Sequence, residues 1–294
     1  MRAVSPVVLV LLSQGLALWA SPPPLPQWAR GKPQRFVLSG QVTTLDIASC
    51  YGSVTVEPGP DRSLRVELIR LTRAGLDQAG TERAAQVRLR PELQAGTLAL
   101  STTGPEGEKG WTDLVDYDVR ILTPASWRAG GRGNAAPLVR VKSRDGVVRL
   151  RHLQGRQEVH ASNGAVELED LRGAAAIGTV EAPITGTGLQ WDRAAVRSSG
   201  GNITLSLDAL PAQADLQLSS AIGDLKLTLP PRANCQIEAD TTAGQVVTEI
   251  AELKPGLRYS GRSLRGALGR GEARVKLQST SGRIEVRQPT SPAN

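Results

Sequence analysis

The 294-residue sequence predicts an all-β fold of the β-solenoid kind, in which short coils of chain stack along one axis. Three observations predict it. A glycine-centred motif recurs seven times, apolar and polar residues alternate with period two on either side of each glycine, and neighbouring copies lie 18, 22 or 21 residues apart. Period-two alternation with one apolar face is the mark of a half-buried strand, and fixed periods of this size indicate stacked units that lack a core of their own.

The chain opens "MRAVSPVVLVLLSQGLALWASPPP". A single Arg, an apolar run from Val7 to Leu18 and a small residue at Ala20 before prolines read as a secretory signal peptide, residues 1–20. The run is short against the roughly 20 residues that cross a bilayer. An uncleaved N-terminal anchor is the alternative. A Pro-rich segment, 21–35, follows, and no Cys stands where lipid would be attached.

Residues 36–136 keep strand patterning but lose the period. "SLRVELIRLT", "AQVRLR", "GTLALSTTG" and "VDYDVRILTP" read as strands, "GLDQAGTERAAQ" as a short helix and "GPEGEKG" as a loop. Such a region suits a β layer capping the solenoid, because an open end exposes unpaired edge groups.

From residue 137 to 288 the repeat is regular. The aligned glycines are Gly52, Gly146, Gly164, Gly201, Gly223, Gly244 and Gly282, the first of them lying ahead of this region. Five residues before each stands Ile47, Val141, Val159, Val196, Leu218, Ala239 or Leu277; two after it stands Val54, Val148, Val166, Ile203, Leu225, Val246 or Ile284. Three before it the residue is always small: Ser49, Ser143, Ala161, Ser198, Ser220, Thr241, Ser279. The glycine is expected to supply a bend conformation that other residues resist. Between Gly164 and Gly201 there is room for one degenerate unit at "TVEAPITGTG". Between Gly244 and Gly282 a second unit is replaced by "KPGLRYSGRSLRGALGRG".

Stacked coils would bring equivalent positions together at about 4.8 Å per rung, making aliphatic and Ser/Thr columns. An antiparallel meander with a hairpin at each "SxxG" is the alternative, and would need the small residue independently at every turn. The tail, 289–294, has no apolar pattern and reads as loose.

The order "YDVRILTP", "VRVKSRDGVVRL", the "SNGAVEL" units and the closing "LRGALGRGEARVKLQSTSGRIEV" resembles the bacterial putative-adhesin family of exported proteins with β-strand repeats, over roughly Phe36 to Arg287. The resemblance implies a right-handed, mainly parallel β-solenoid and an exported or surface role. It brings no catalytic motif. The unit near Pro183 departs from the pattern and leaves the rung count there open.

Candidate chemistry is sparse. Net charge is +7, but the basic residues are scattered among acids and the chain holds one Phe, three Tyr and five Trp, which disfavours nucleic-acid binding. Cys50 and Cys235 are expected to stay unbridged, since in-order stacking separates their units by roughly five rungs at about 4.8 Å, beyond disulfide reach. His152 and His160 could approach on adjacent rungs, yet no third ligand is at hand for a metal. Asp145 lies beside a bend and Glu167, Glu169 and Asp170 form an acidic face, but alternation alone produces outward acids, and no aromatic platform for sugar stacking stands beside them. "RAGGRGNAAP" (128–137) lacks the Lys-Ser/Thr ending of a phosphate loop. No residue is assigned as catalytic, cofactor-binding or metal-ligating, and no cofactor is called for.

The expected function is non-catalytic binding or scaffolding at the cell envelope, on an unidentified polymer, lipid or protein, with membrane association left open. One alternative is a carbohydrate-active enzyme on the same fold, which a cleft holding two carboxylates beside an Arg or Lys would favour. The other is an envelope-stress signalling component that binds lipid or peptide.

Overall fold

The computed structural model describes residues 27–87, 89, 91–101, 114–129, 136–253 and 259–289. The signal-peptide reading, the "GPEGEKG" loop and most of residues 128–137 and of the tail lie outside them. The described chain is all-β apart from two short helices, Gln78–Gln86 and Ser126–Ala129, and one 3-10 turn, Ala251–Leu253. The first helix falls inside the segment read as helical and starts at Asp77, whose side chain accepts the Gly80 amide at 2.7 Å as an N-cap. "AQVRLR" is not a strand where described: Ala85 and Gln86 end the helix, and Val87 and Leu89 lie outside regular structure.

Each rung has a leading strand, an S/TxxG bend and a trailing strand. Leading strands Leu138–Ser143, Gln154–Ala161 and Arg172–Thr179 pair in parallel, and so do trailing strands Val148–Arg151 and Val166–Glu169 with the start of Ile184–Ser198. Parallel pairing from one rung to the next rules out the hairpin meander, whose neighbours would be antiparallel. The long strand Ile184–Ser198 belongs to both sheets, trailing one rung and leading the next.

The predicted columns exist. Val141 pairs with Val159, Val159 with Ile177, Ile177 with Val196 and Val196 with Leu218, all at most 2% exposed. Across the bend Val148, Val166, Ile184, Ile203 and Leu225 form a second column, each wholly buried. Two facing rows of aliphatic side chains, repeated from rung to rung, make one continuous core.

Four features depart from expectation. The bend glycines are not selected by φ, since none of the seven has a positive value. Their reason is contact: a Cβ on Gly146 would lie 1.9 Å from the Gly52 carbonyl oxygen, and one on Gly164 2.1 Å from that of Gly146. At these glycines the bends pack backbone on backbone along the axis, leaving no room for a side chain.

The unit near Pro183 is a complete rung, with Ile177, Thr179, Ala182 and Ile184 in the four defining positions. Ala182 stands where the glycine would. Pro183 is tolerated because its carbonyl accepts the Val166 amide at 3.0 Å, while the amide it lacks is not part of the ladder. In other rungs that amide is taken by a side chain, as Asp224 N is by Asn202 Oδ1 and Arg283 N by Asp224 Oδ1.

The stack is also not in chain order. The last unit, Ala273–Ser279 with Ile284–Arg287, sits between the Gly223 rung and the Gly244 rung. The Gly244 rung is followed outward by antiparallel strands Ser263–Leu268 and Tyr259–Gly261, made from the "KPGLRYSGRSLRGALGRG" insertion. The column therefore runs Gly52, Gly146, Gly164, Ala182, Gly201, Gly223, Gly282, Gly244, which puts the Cys50 and Cys235 units seven steps apart rather than five. Both cysteines are buried and no disulfide joins them.

At the other end, Thr97–Ser101 and Val115–Thr123 lie in parallel beneath Thr44–Ser49 and Val54–Pro58 and supply one more rung that the sequence period does not reveal. Beyond it, antiparallel strands Leu64–Arg73 and Trp28–Leu38 extend the trailing sheet, the latter starting inside the segment read as Pro-rich. Asp116, wholly buried, replaces the backbone carbonyls of a regular bend. Its Oδ2 accepts the amides of Cys50 and Gly52 at 3.1 Å each, and that of Tyr51. Four amides in all end on this carboxylate, because Oδ1 takes the Tyr117 amide at 2.7 Å.

Candidate functional site: a groove along the bends

Where each leading strand enters its bend, the residue four before the glycine points out, the next points in, and the one after points out again. The inward residue is Ser or Thr in every rung from Gly52 to Gly244 except that of Gly164, where it is Ala161, and it is buried in each. Its hydroxyl ties the bend to itself: Ser143 Oγ donates to the Gly146 carbonyl at 2.8 Å, Ser49 Oγ to that of Gly52 at 2.9 Å, and Thr179 Oγ1 to that of Ala182 at 2.9 Å. In later rungs the same oxygen accepts instead, from Gly201 N at 2.8 Å and Gly223 N at 2.9 Å. These are the local side-chain-to-backbone bonds for which Ser and Thr are favoured in turns.

Because the middle residue turns inward in every rung, two rows of outward side chains flank a trough. It holds about 1100 Å3 and spans the rungs from Ser143 to Thr241. One row is Lys142, His160, Gly178, Arg197, Ser219 and Gln278, ending at Asp240; the other includes Ser162, Val180, Ser199 and Thr280. Arg262 and Ser263 close the far end. No Phe, Tyr or Trp lines it.

Away from the trough, several outward arginines pair with acids on neighbouring rungs. Arg149 Nε meets Glu167 at 2.8 Å, and Arg151 Nε meets Glu169 at 3.2 Å. Arg140 Nε meets Glu158 at 2.8 Å with Asp46 at 3.5 Å on its other side. The hydrogen bond from Arg140 holds the Glu158 carboxyl below its ordinary range, with the Arg156 and Arg140 charges acting the same way against a partial desolvation.

Of the acids and histidines considered from sequence, Glu169 and Asp170 meet at His152, 3.9 Å from Nε2 and 3.2 Å from Nδ1, and the others lie apart. Asp145 is held by Arg144 Nε at 2.9 Å and by Asn163 Nδ2 at 2.8 Å on the outer ridge of the bends. Glu167 and Glu169 lie on the trailing sheet, and Asp170, in the turn that follows, sits 3.2 Å from His152 Nδ1. His160 instead faces the groove, so the two histidines serve different places. Among the described residues no three His, Cys, Asp or Glu side chains gather as metal ligands would. Burial pushes the Cys235 thiol up to about 11. Among the described residues the only carboxylate on the trough wall is Asp240.

Lys142 and Arg197 were not singled out by sequence reasoning. The signal was present in the position four before the glycine, which reads Lys142, His160, Arg197, Ser219, Gln278 and Asp240 in six of the seven copies, polar where its neighbours in the motif are constrained, and Ala48 in the Gly52 copy.

A family profile described as Toastrack DUF4097 matches residues 132–287, just over half of the chain. The chain belongs to the Toastrack DUF4097 family. The matched region contains the closing "LRGALGRGEARVKLQSTSGRIEV" and every rung from Gly146 onward, while the Gly52 rung and the strands beneath it lie outside. Among solved structures, a putative lipid binding protein from Parabacteroides distasonis ATCC 8503 is 12% identical, with 87% of this chain and 97% of that chain covered and a TM-score of 0.46. A putative adhesin from Bacteroides fragilis NCTC 9343 is 9% identical over the same shares, with a TM-score of 0.40. Another from Parabacteroides merdae ATCC 43184 is 10% identical, with 87% and 95% covered and a TM-score of 0.38. No curated protein matches the chain. Among the described residues no helix is long and apolar enough to cross a membrane.

Proposed function

We propose that this Toastrack protein is an exported, non-catalytic binding module of the cell envelope, and that the groove along its bends is where an elongated ligand lies. The observation that carries this reading is the trough itself, about 1100 Å3, built from one repeated position in each rung. Extended faces of stacked repeats commonly serve recognition. Export rests on the apolar run Val7–Leu18 and the small residue Ala20.

The carbohydrate-active alternative needs two carboxylates at a set separation in a cleft. Only Asp240 lines the groove, and Asp145 and Glu167 are engaged elsewhere by Arg144 and Arg149, which favours binding over cleavage. We take the coil to be right-handed, as parallel crossovers nearly always are. The strands Leu64–Arg73 and Trp28–Leu38 at one end, with Ser263–Leu268 at the other, act as caps that keep the open rungs from pairing with other chains.

Gly178 offers a direct test. It lines the trough, and a Cβ there would meet only His160 Nδ1 at 3.4 Å, so a side chain fits without moving the backbone. The full chain is expected to co-sediment with isolated bacterial envelope, Gly178→Trp is expected to lose that association while keeping its Tm, and neither should release reducing ends from envelope polysaccharide. Undiminished binding by Gly178→Trp removes the groove from the function. Polymer cleavage abolished in Glu167→Gln or Asp145→Asn restores the enzyme.

A further inference from the structure

We infer that the groove takes a linear anionic glycan, a sugar polymer carrying negative charges at intervals along its length. This rests on the groove being the binding site and adds the class of ligand. Four observations lead there: the groove's shape, its free cations, its hydroxyls and its closed backbone.

The trough crosses seven stacked leading strands, so at about 4.8 Å per rung it runs for roughly 30 Å, which suits a chain better than a compact molecule. Along it stand Lys142, Arg197 and Arg262, none of which forms an ion pair among the described residues, whereas arginines on the trailing sheet such as Arg149 and Arg151 are matched by acids one rung away. Asp240 offsets one of the three cations, leaving the groove net positive. Unmatched cations in a concave wall concentrate anions.

The charges are sparse. Lys142 and Arg197 are three rungs apart, roughly 14 Å, while a nucleic-acid strand carries a phosphate about every 3.4 Å along its axis and is usually held by stacking aromatics. Among the described residues no Phe, Tyr or Trp lines the trough, and the imidazole of His160 has no second ring beside it to form a stacking platform.

Between the cations the lining is hydroxyl-bearing, with Ser162, Ser199 and Thr280 on one side and Ser219 on the other. Hydroxyls both donate and accept, as sugar hydroxyls require. A peptide strand would instead need an open sheet edge to pair with. Here the floor strands are interior members of the stack, their amides and carbonyls bonded to the rungs on either side. Among the described residues the apolar side chains of the trough are Ala161, Val180 and Ala221, all small and interleaved with Ser and Thr, which gives an acyl chain no continuous apolar channel.

The test uses the full chain with polygalacturonate, neutral dextran of similar length and poly-glutamate, read by titration calorimetry. Polygalacturonate is expected to bind, and the Lys142→Gln/Arg197→Gln double variant to bind it about tenfold or more weakly, the loss of charge-assisted hydrogen bonds. Raising NaCl from about 50 to about 300 mM is expected to weaken it as well. Arg149→Gln, which alters a paired cation away from the trough, is expected to bind as the parent does, and all variants to keep the parent Tm. Dextran bound as tightly as polygalacturonate, and lost in Gly178→Trp, overturns the anionic inference while leaving the groove reading standing. Poly-glutamate bound as tightly as polygalacturonate overturns it in favour of an acidic peptide. Polygalacturonate binding that Gly178→Trp leaves unchanged overturns the groove reading itself.

Discussion

A Cβ placed on Gly223 would lie 2.1 Å from the carbonyl oxygen of Gly201, inside the distance any real side chain tolerates. The same relationship recurs between Gly282 and Gly223 at 2.3 Å and between Gly244 and Gly282 at 2.0 Å. The bends form a backbone spine, and the spacing of the parallel ladder sets how closely its members approach. Neither carbonyl nor glycine can retreat without breaking rung-to-rung hydrogen bonds on both sides.

Gly223→Ala is therefore expected to destabilise the protein by roughly 1–3 kcal/mol, at the upper end of overpacking costs, because the obstacle is backbone rather than a movable side chain. For a domain of this size that lowers Tm by roughly 2–10 °C. Gly178→Ala, on the same stack but facing the groove, should cost less than about 1 kcal/mol, the loss of strand-interior glycine being no handicap. Thermal denaturation of the two variants side by side checks the distinction. Equal Tm values would mean that the bends do not depend on the missing Cβ.

Asp116 carries a second expectation. Its carboxylate accepts the amides of Cys50, Tyr51 and Gly52. Asp116→Ala removes this acceptor, at about 1–3 kcal/mol for each amide that water cannot reach. Asp116→Asn keeps one oxygen acceptor and is expected to lose less. Hydrogen exchange should show faster exchange at Cys50–Ser53 in Asp116→Ala, with Asp215–Ser220 near the middle of the stack unaffected. Uniform acceleration along the whole stack would show instead that the rungs open together.

How far this was legible follows from what a residue's neighbours demand of it. The core columns were visible because a buried aliphatic position tolerates little else, and Val148, Val166 and Ile203 repeat it at a fixed offset from the glycine. The rung at Ala182 was obscured by its two departures, Ala for Gly and Pro at the next position, the second falling where the ladder takes no amide. The rung built from Thr97–Ser101 and Val115–Thr123 was hidden by residues 102–113, which separate its two halves and erase the period. Asp116 looked like any other polar residue in "VDYDVRILTP"; only the neighbouring amides show its role. The groove cations escaped because a ligand site does not repeat as a core does, and Lys142, Gly178 and Arg197 share a position but no chemistry.

Cys235 gives a pH-dependent expectation. It is wholly buried, and burial holds its thiol near 11 against an ordinary value of 9.0. The folded-state value is the higher, so the stability this site contributes is complete below about 9 and is lost as pH rises toward 11, because the unfolded thiol ionises first. Maleimide or iodoacetamide at neutral pH should label Cys235 only as fast as the surrounding rung opens. A native-state labelling rate like that of a free thiol in solution would contradict the burial. Cys235→Ala should remove the Cys235 share of the alkaline loss of stability while leaving the acid side unchanged.

The order of the stack makes the C-terminus structurally central. In a solenoid laid down in sequence, removing the last unit strips an end rung and leaves the others paired. Here Ala273–Ser279 pairs on one side with Asp215–Ser220 and on the other with Cys235–Thr241, and Ile284–Arg287 likewise bridges Leu225–Thr228 and Val246–Thr248. Deleting residues 271–294 therefore removes an interior rung and separates the Gly244 rung from the rest of the stack. The Val275, Leu277, Ile284 and Val286 side chains, all wholly buried, go with it. At roughly 1.5–3 kcal/mol for each buried aliphatic side chain, the loss rivals the entire stability of an ordinary domain. The truncated chain is expected to be insoluble, or to unfold without a cooperative transition. Folding should likewise wait for the last residues, since the Gly244 rung cannot dock before its inner neighbour exists. Pulse-labelled hydrogen exchange during refolding checks this, with protection of Cys235–Thr241 expected no earlier than that of Ala273–Ser279. Early protection of Cys235–Thr241, or a truncated protein that keeps its cooperative melt, would mean that the Gly244 rung stands without the strand now lodged beneath it.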